Sequence, residues 1–158
     1  MKTLVVYDSV FGNTEKVARA VAAAAGAQAV KADAAGAEVL KGVTLLVAGS
    51  PTRGFRPTPA MQNFLKGLPA DGLKGVQVAA FDTRMIIEEV NNKILTVMVS
   101  IFGYAAKPIA DGLVKKGGTP SAPPEGFFVK GSEGPLKDGE LERAAEWGKR
   151  ILEAAKTA

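Results

Sequence analysis

The sequence contains no cysteine and no histidine among its 158 residues. The missing cysteine excludes disulfides, thiolate nucleophiles, iron–sulfur clusters and cysteine-ligated zinc. The missing histidine excludes a Ser-His-Asp triad, an imidazole general base and an axial histidine for haem. Redox or group-transfer chemistry would therefore need carboxylates, hydroxyls, Lys or Arg side chains, or a bound organic cofactor.

The chain also lacks a long apolar run. Its longest stretch without a charged side chain lies between Lys93 and Lys107, which is shorter than the roughly 20 apolar residues of a membrane span. The N-terminal apolar run is short and strand-like, unlike a secretory signal. An apolar share of 47% over this length predicts one domain, residues 1–158, with a sizeable core. We expect a cytoplasmic protein without a membrane span.

Apolar runs typical of buried strands alternate with helical patterns along the chain. The runs at 3–7, 43–49 and 75–81 are continuous, as in strands that are covered on both faces. Weaker strands are expected at 27–31 and 126–130, and helices at 14–25, 59–64, 85–102, 105–116 and 139–155. Because such alternation builds βαβ units, we predict an α/β fold: a three-layer, doubly wound sandwich with a five-stranded parallel sheet of order 2-1-3-4-5.

The loop after the first predicted strand leads directly into a helix and reads Ser9-Val10-Phe11-Gly12-Asn13-Thr14. Hydroxyls, an amide and free N–H groups can converge there, and the helix N-terminus favours an anion, above all a phosphate. The loop has neither the lysine of a P-loop nor a G-x-G-x-x-G motif. It therefore suits a phosphate monoester held without a metal. In the alternative interpretation, Ser9 and Thr14 only complete a turn and cap the helix.

Residues 5–21, VVYDSVFGNTEKVARAV, resemble the FMN-phosphate signature of the flavodoxin family. The resemblance continues strand by strand over essentially the whole chain. It implies the flavodoxin-like fold, FMN as a non-covalently bound cofactor, and electron transfer as the function. It also implies that the six loop residues from Ser9 to Thr14 contact the cofactor.

The loop after the second strong strand is rich in proline and glycine, and is similar to the flavodoxin loop that packs along the flavin ring. The resemblance implies cofactor contacts from Ser50, Pro51, Thr52, Arg53, Gly54 and Phe55. Phe55 could stack on a ring face, and the Gly54 peptide could flip at little cost. Arg53 or Arg56 could place a cation beside the pyrimidine edge. Alternatively, this is a surface loop whose Phe55 packs on Pro57.

The third loop, Asp82-Thr83-Arg84, departs from the flavodoxin pattern, in which an acidic stretch and a stacking tyrosine are typical. We still expect Asp82 and Thr83 to bind the polar edge of the flavin, with Arg84 beside them. Phe102 and Tyr104 either bring an aromatic ring back to the site or are ordinary core residues. We interpret three other aromatics as core, namely Phe127, Phe128 and Trp147.

The segment 85–102 is too apolar for a free surface helix. It either packs in the core or forms an interface, for example with a redox partner or in a homodimer.

The sequence is compatible with three candidate functions, which we weigh in turn. We favour an FMN-dependent electron carrier over a stand-alone FMN oxidoreductase of the quinone or protoporphyrinogen type. A receiver-type signalling domain would need an acceptor Asp at the end of its central strand, where this chain has Gly49-Ser50-Pro51. In the favoured case no side chain acts as acid or base, because the cofactor carries the chemistry. We expect no metal site and no nucleic-acid partner.

The chain is mildly basic, with 20 Lys and Arg against 16 Asp and Glu. Flavodoxins are usually strongly acidic. With Arg53, Arg56 and Arg84 in the predicted flavin loops, we expect a less negative potential for full reduction of the flavin. We also expect a redox partner, reductase or acceptor, with an acidic or neutral docking surface.

Overall fold

The computed structural model describes residues 1–86 and 92–158, and the backbone alone for Phe102. Strands and helices alternate along the described chain. The strands are β1 Thr3–Tyr7, β2 Gln28–Lys31, β3 Leu45–Pro51, β4 Gln77–Met85, β5 Thr119–Pro120 and β6 Glu125–Val129. The helices are α1 Asn13–Ala24, α2 Ala37–Leu40, α3 Pro59–Gly67, α4 Lys93–Phe102, α5 Ala106–Lys115 and α6 Glu140–Lys156.

All strand pairs in the sheet are parallel, and the order is β2-β1-β3-β4-β5, with β6 also paired to β4. The predicted fold class and strand order are therefore confirmed. The fifth position differs from the prediction because two short strands share it. β5 pairs with the beginning of β4 and β6 with its end. Between them lie Pro123 and Pro124, which have no N–H to donate to a ladder.

The core has two halves, one on each face of the sheet. Alternate residues of β1 point to opposite faces, so that Leu4 and Val6 pack toward α3 and α5, and Val5 and Tyr7 toward α1 and α6. Phe81, Phe127 and Trp147 form a triangle of edge-on contacts with centroids 5.9–6.0 Å apart. The prediction that Phe127 and Trp147 are core residues is confirmed, because both are buried.

The interpretation of Phe128 as a core residue is wrong. Phe128 is only half-buried, because strand alternation turns it away from the face that buries Phe127. The guanidinium of Arg143 lies 5.5 Å from its ring centroid.

The strand register aligns the end of β1 with residues just before the ends of β3 and β4. Tyr7 of β1 is aligned with Gly49 of β3, which is aligned with Phe81 of β4. A Cβ atom at Gly49 would collide with the Phe81 ring, so the close approach of these strands requires glycine. The loops that follow β1 and β3 and the last residues of β4 therefore lie side by side.

The segment predicted as one helix over 85–102 has a different structure. β4 continues through Met85, residues 87–91 lie outside the described chain, and α4 begins only at Lys93. The predicted division at Gly103 is confirmed, since its positive φ of 74° ends α4 before α5 begins.

The core-packing interpretation of 85–102 is also wrong for the described part of α4. Its large apolar side chains Ile94, Val97, Met98 and Ile101 are exposed. By length and composition alone, Lys93–Lys115 is a candidate membrane span. Gly103 divides this segment, however, and the second half buries Ala106, Ile109 and Leu113 in the core.

Candidate functional site

A cleft of about 470 Å³ opens at the carboxyl ends of β1, β3 and β4, the edge at which doubly wound sheets bind ligands. Its volume is within the roughly 300–1,000 Å³ typical of small-molecule sites. The three predicted loops meet in it. They contribute Val10, Phe11, Asn13, Thr14, Pro51, Thr52, Arg53, Gly54, Phe55, Thr83 and Arg84, and the rest of the lining comes from Met85, Leu95, Val99, Tyr104, Val129 and Ser132.

One end of the cleft is formed by the N-terminus of α1. Gly12 precedes this helix with a positive φ of 91°, and no side chain in the described chain caps it. The first-turn N–H groups are therefore available to an anion. The Ser9 hydroxyl accepts the Gly12 N–H at 3.0 Å, which closes the turn before the helix.

A buried pair of hydroxyls joins the first turn of α1 to the end of β4. The oxygens of Thr14 and Thr83 lie 2.8 Å apart, and both residues are almost fully buried. Only one of the two hydroxyls donates to the other, so the pair has a second hydrogen that a ligand in the cleft could accept. Next to them, the Asn13 amide donates to the Glu133 carbonyl at 3.0 Å and is held in place.

The second loop is a tight hairpin. Arg53 and Arg56 exchange backbone hydrogen bonds of 2.8 and 3.1 Å, while Gly54 and Phe55 between them have φ values of 54° and 68°. Two consecutive positive φ values are the pattern of a type I′ turn. A phenylalanine in this region costs about 1 kcal/mol or more, and such strain clusters at functional sites. Phe55 is half-buried and lines the cleft.

The prediction of a third loop at Asp82-Thr83-Arg84 is wrong, because these residues continue strand β4, which pairs with β3 and β6 there. This end of β4 is held by a buried ion pair. Asp82 is completely buried, and its carboxylate accepts two hydrogen bonds from the Arg84 guanidinium, at 2.7 and 2.8 Å, and one from the Ala106 N–H, at 2.9 Å. Burial raises the pKa of the Asp82 carboxyl, and the neighbouring guanidinium opposes that rise. The guanidinium also lies 3.7 Å from the Tyr104 ring centroid. Arg84 thus positions Tyr104 at the cleft while Asp82 balances its charge.

Four predicted site residues lie outside the cleft lining: Ser9, Gly12, Ser50 and Asp82. Each has a structural partner instead. Ser9 and Gly12 bond to each other, and Asp82 bonds to Arg84 and to the first turn of α5. Ser50 is buried, accepts the Thr58 N–H at 3.0 Å and donates to the Pro51 carbonyl at 2.9 Å.

Sequence reasoning missed the apolar residues that complete the cleft, Met85, Leu95, Val99 and Val129, as well as Ser132. Tyr104 was left open between site and core, and it lines the cleft. The hydropathy of α4 was a visible signal, but it did not indicate that Leu95 and Val99 would face the site. The side chain of Phe102 lies outside the described residues.

The charged groups of the cleft are cationic. Within the described lining these are Arg53 and Arg84, with no carboxylate. The Arg53 guanidinium lies 5.3 Å from the Phe11 ring centroid. Over residues 1–86 and 92–158 no group of three potential metal-ligating side chains is found. The site therefore suits an anionic organic molecule with a flat apolar part.

Comparison with known proteins gives a consistent fold. No protein-family model and no curated protein sequence matches the chain. A flavodoxin from the domain Archaea superposes with a TM-score of 0.78 at 23% identity, covering 99% of each chain. A WrbA-like flavodoxin from Agrobacterium tumefaciens gives 0.74 at 21% identity, covering 99% of this chain and 98% of that one. Rubredoxin oxygen:oxidoreductase from Desulfovibrio gigas gives 0.73 at 22% identity, covering 99% of this chain and 36% of that one. The chain therefore has the flavodoxin fold.

Proposed function

We propose that the cleft binds FMN and that the protein transfers electrons to or from a partner protein. The observation that carries this proposal is that polar hydrogen-bond donors lie at one end of the cleft and aromatic side chains line the remainder. An uncapped helix N-terminus with the Thr14 hydroxyl lies at one end. Aromatic side chains and an arginine line the remainder. This donor set fits a phosphate monoester attached to a flat heteroaromatic ring.

The phosphate would bind at the N-terminus of α1. Backbone N–H groups and one hydroxyl hydrogen are the donors that suit a phosphate without a metal ion. Asn13 and Thr14 are already held, by Glu133 and Thr83. Little ordering of these side chains would therefore be needed when the phosphate binds.

The ring would pack among Phe55, Tyr104 and the apolar side chains of the cleft. A half-buried Phe55 in a tight turn offers one flat surface, and the Tyr104 ring is in contact with the Arg84 guanidinium. Flavin would supply the redox chemistry when bound, because the chain has no cysteine and no histidine. The chain itself would bind the ring, orient it and limit its contact with water.

We further propose a redox partner with an acidic or neutral surface and a cytoplasmic location. The exposed side of the second loop carries Arg53 and Arg56, and the whole chain has a net charge of +4. Cations at the mouth of the cleft would attract an acidic partner and speed its association.

A stand-alone FMN oxidoreductase is the second candidate. It is favoured by Leu95 and Val99 of α4, which give the cleft an apolar wall on which a quinone could pack. Steady turnover of NAD(P)H and a quinone without a second protein would support this candidate. Turnover that requires a reductase would support the electron carrier.

The first test is the absorbance spectrum of the purified protein and the identity of any flavin released on denaturation.

The second test compares the binding of FMN with that of riboflavin. Thr14→Ala should weaken FMN binding roughly 10- to 100-fold, the value of one hydrogen bond to a charged group, and riboflavin binding much less. The control is Thr44→Ala, which removes an exposed hydroxyl bonded to Lys2 at the other end of the sheet. Equal losses for both flavins would contradict the phosphate assignment, and no flavin binding at all would overturn the proposal.

A further inference from the structure

Helix α4 exposes one apolar stripe, at positions i, i+3, i+4 and i+7. The exposed fractions are 74% for Ile94, 56% for Val97, 37% for Met98 and 68% for Ile101. These four residues are called the α4 face below. Within the same helix, Leu95 and Val99 are half-buried and line the cleft. A stripe of this width is the face that an amphipathic helix normally buries, but here it lies outside the core, while Thr96 and Ser100 are exposed elsewhere on the helix.

The area of the α4 face is small for a protein interface. A helix of ten residues is about 15 Å long and about 6.5 Å in radius at the surface that water reaches, so its outward half presents roughly 300 Å² of accessible surface. Val10 and Phe11 of the first loop, which are 51% and 46% exposed and line the same cleft, bring the apolar surface to roughly 450–500 Å². A stable dimer buries about 800 Å² on each partner. A second copy would also bring its own Arg53 and Arg56 to a surface that is already cationic.

Cations flank the apolar surface. Lys93 begins α4 and Lys107 follows it, both exposed, and no charged residue lies between them. Lys107 pairs with Asp111 at 3.0 Å in exposed positions, where a pair of this kind is worth little. The nearest carboxylates before α4 in the sequence, Glu88 and Glu89, lie outside the described residues. An apolar helix that begins with an exposed lysine and lies beside two exposed arginines is complementary to an anionic surface with an apolar interior.

We propose that α4 docks the protein on an anionic lipid bilayer, with the α4 face inserted at the level of the head groups. At about 15 Å the helix is half the thickness of the roughly 30 Å hydrocarbon layer, so it lies in the interface and does not cross it. Burial of a few aliphatic side chains provides the apolar contribution, and Lys93, Arg53 and Arg56 provide attraction to the lipid phosphates. Because Leu95 and Val99 belong to the same helix, the mouth of the cleft opens next to the bilayer surface. This proposal does not depend on the identity of the cofactor.

The test is sedimentation of the full chain with large unilamellar vesicles, one set of phosphatidylcholine and one of phosphatidylcholine and phosphatidylglycerol in equal parts. Wild-type protein should bind the anionic vesicles at least about tenfold more strongly than the neutral ones, because several cations contribute. Val97→Glu places a charge on the α4 face and should lower binding to anionic vesicles about tenfold or more. Val114→Glu makes the same substitution at an exposed position of α5 and should change binding less than about threefold.

Val114→Glu changes the net charge equally, so the difference between the two variants isolates the α4 face. Neither residue lines the cleft, and circular dichroism and FMN titration should be unchanged in both, which separates this test from that of the cofactor. Absence of wild-type binding to anionic vesicles would overturn the proposal. Equal effects of the two substitutions, or equal binding to neutral vesicles, would overturn it as well. A dimer in sedimentation velocity that Val97→Glu dissociates, without vesicle binding, would assign the α4 face to a second copy instead.

Discussion

The ion pair between Asp82 and Arg84 provides the sharpest stability prediction. Arg84→Met removes the guanidinium and retains an apolar stem. The Asp82 carboxylate stays completely buried, loses two hydrogen bonds of 2.7 and 2.8 Å, and keeps only weaker neutral donors such as the Ala106 N–H at 2.9 Å. The variant therefore leaves a buried charge without its counter-ion.

Removing one partner of a buried ion pair typically costs about 3–5 kcal/mol. The Arg84 side chain is 20% exposed, so water reaches its side of the pair and the lower value applies. We expect the free energy of unfolding to fall by about 3 kcal/mol at neutral pH. For a domain of this size that corresponds to a decrease in Tm of roughly 6–12 °C.

The loss of stability in Arg84→Met should depend on pH, and the direction of that dependence follows from the pKa of the Asp82 carboxyl. Burial already raises its pKa in the folded state, and Arg84 opposes the rise. Without the guanidinium the folded-state pKa rises further above the unfolded value of about 3.9. A carboxyl whose folded-state pKa is raised takes up a proton on folding. Stability of Arg84→Met therefore falls as pH increases from about 4 through the raised pKa, and the deficit is largest at neutral pH.

The assay is urea unfolding followed by fluorescence of Trp147, the only tryptophan and a buried one. Wild type, Arg84→Met, Asp82→Asn and the double variant should be compared at about pH 4.5 and about pH 7. The double variant should be more stable at neutral pH than Arg84→Met alone, because no uncompensated charge remains. An equal loss at both pH values, or a double variant whose loss is the sum of the single losses, would refute the reasoning.

Three further substitutions test the packing and the cleft. Gly148→Ala should lower the free energy of unfolding by about 1–3 kcal/mol, because the new Cβ would lie 2.9 Å from the Val21 carbonyl oxygen where α6 meets α1; an unchanged urea midpoint would contradict this contact. Phe55→Ala should weaken FMN binding roughly two- to tenfold, the value of one aromatic stacking contact, and should shift the flavin potential; an unchanged potential would exclude Phe55 from the ring site. Arg53→Gln should make the one-electron potential of bound FMN more negative by roughly 10–45 mV, which is equivalent to the roughly 0.2–1 kcal/mol that an exposed charge contributes; a shift to a less negative value would show that Arg53 does not act on the ring.

The parts of the fold that the sequence predicted are those with a local signal. Continuous apolar runs correctly indicated the three central strands, since a strand covered on both faces needs apolar residues at every position. Once those strands are parallel and adjacent, the loops that follow them must emerge at one edge. The meeting of the first and second loops in one cleft was therefore predictable, whereas the residues expected to form a third loop reach the same cleft as the end of β4. Whether these residues hold FMN remains a prediction.

The features of the fold and the site that were not predicted depend on contacts between residues that are distant in the sequence. The helical spacing of 85–102 did not reveal that its first residue completes β4 or that α4 lies outside the core. Asp82 was expected to face a ligand, but its carboxylate holds the start of α5 at Ala106. One signal was available: residues i and i+2 of a strand share a face, so Asp82 and Arg84 in a strand that continues to Met85 are neighbours that form an ion pair.

The positions of the charged side chains decide how the basic composition affects the proposed function. Three arginines were expected to act on the flavin, but the charge of Arg84 is balanced by Asp82. Arg53 is then the uncompensated cation of the described cleft lining, and Arg56 is exposed on the hairpin beside it. Since exposed charges act weakly through water and salt, we expect a small effect on the flavin potential. The same exposed charges are well placed to attract an acidic surface. The basic character of this chain should therefore be measured more readily in the salt dependence of its association rates than in its redox potential.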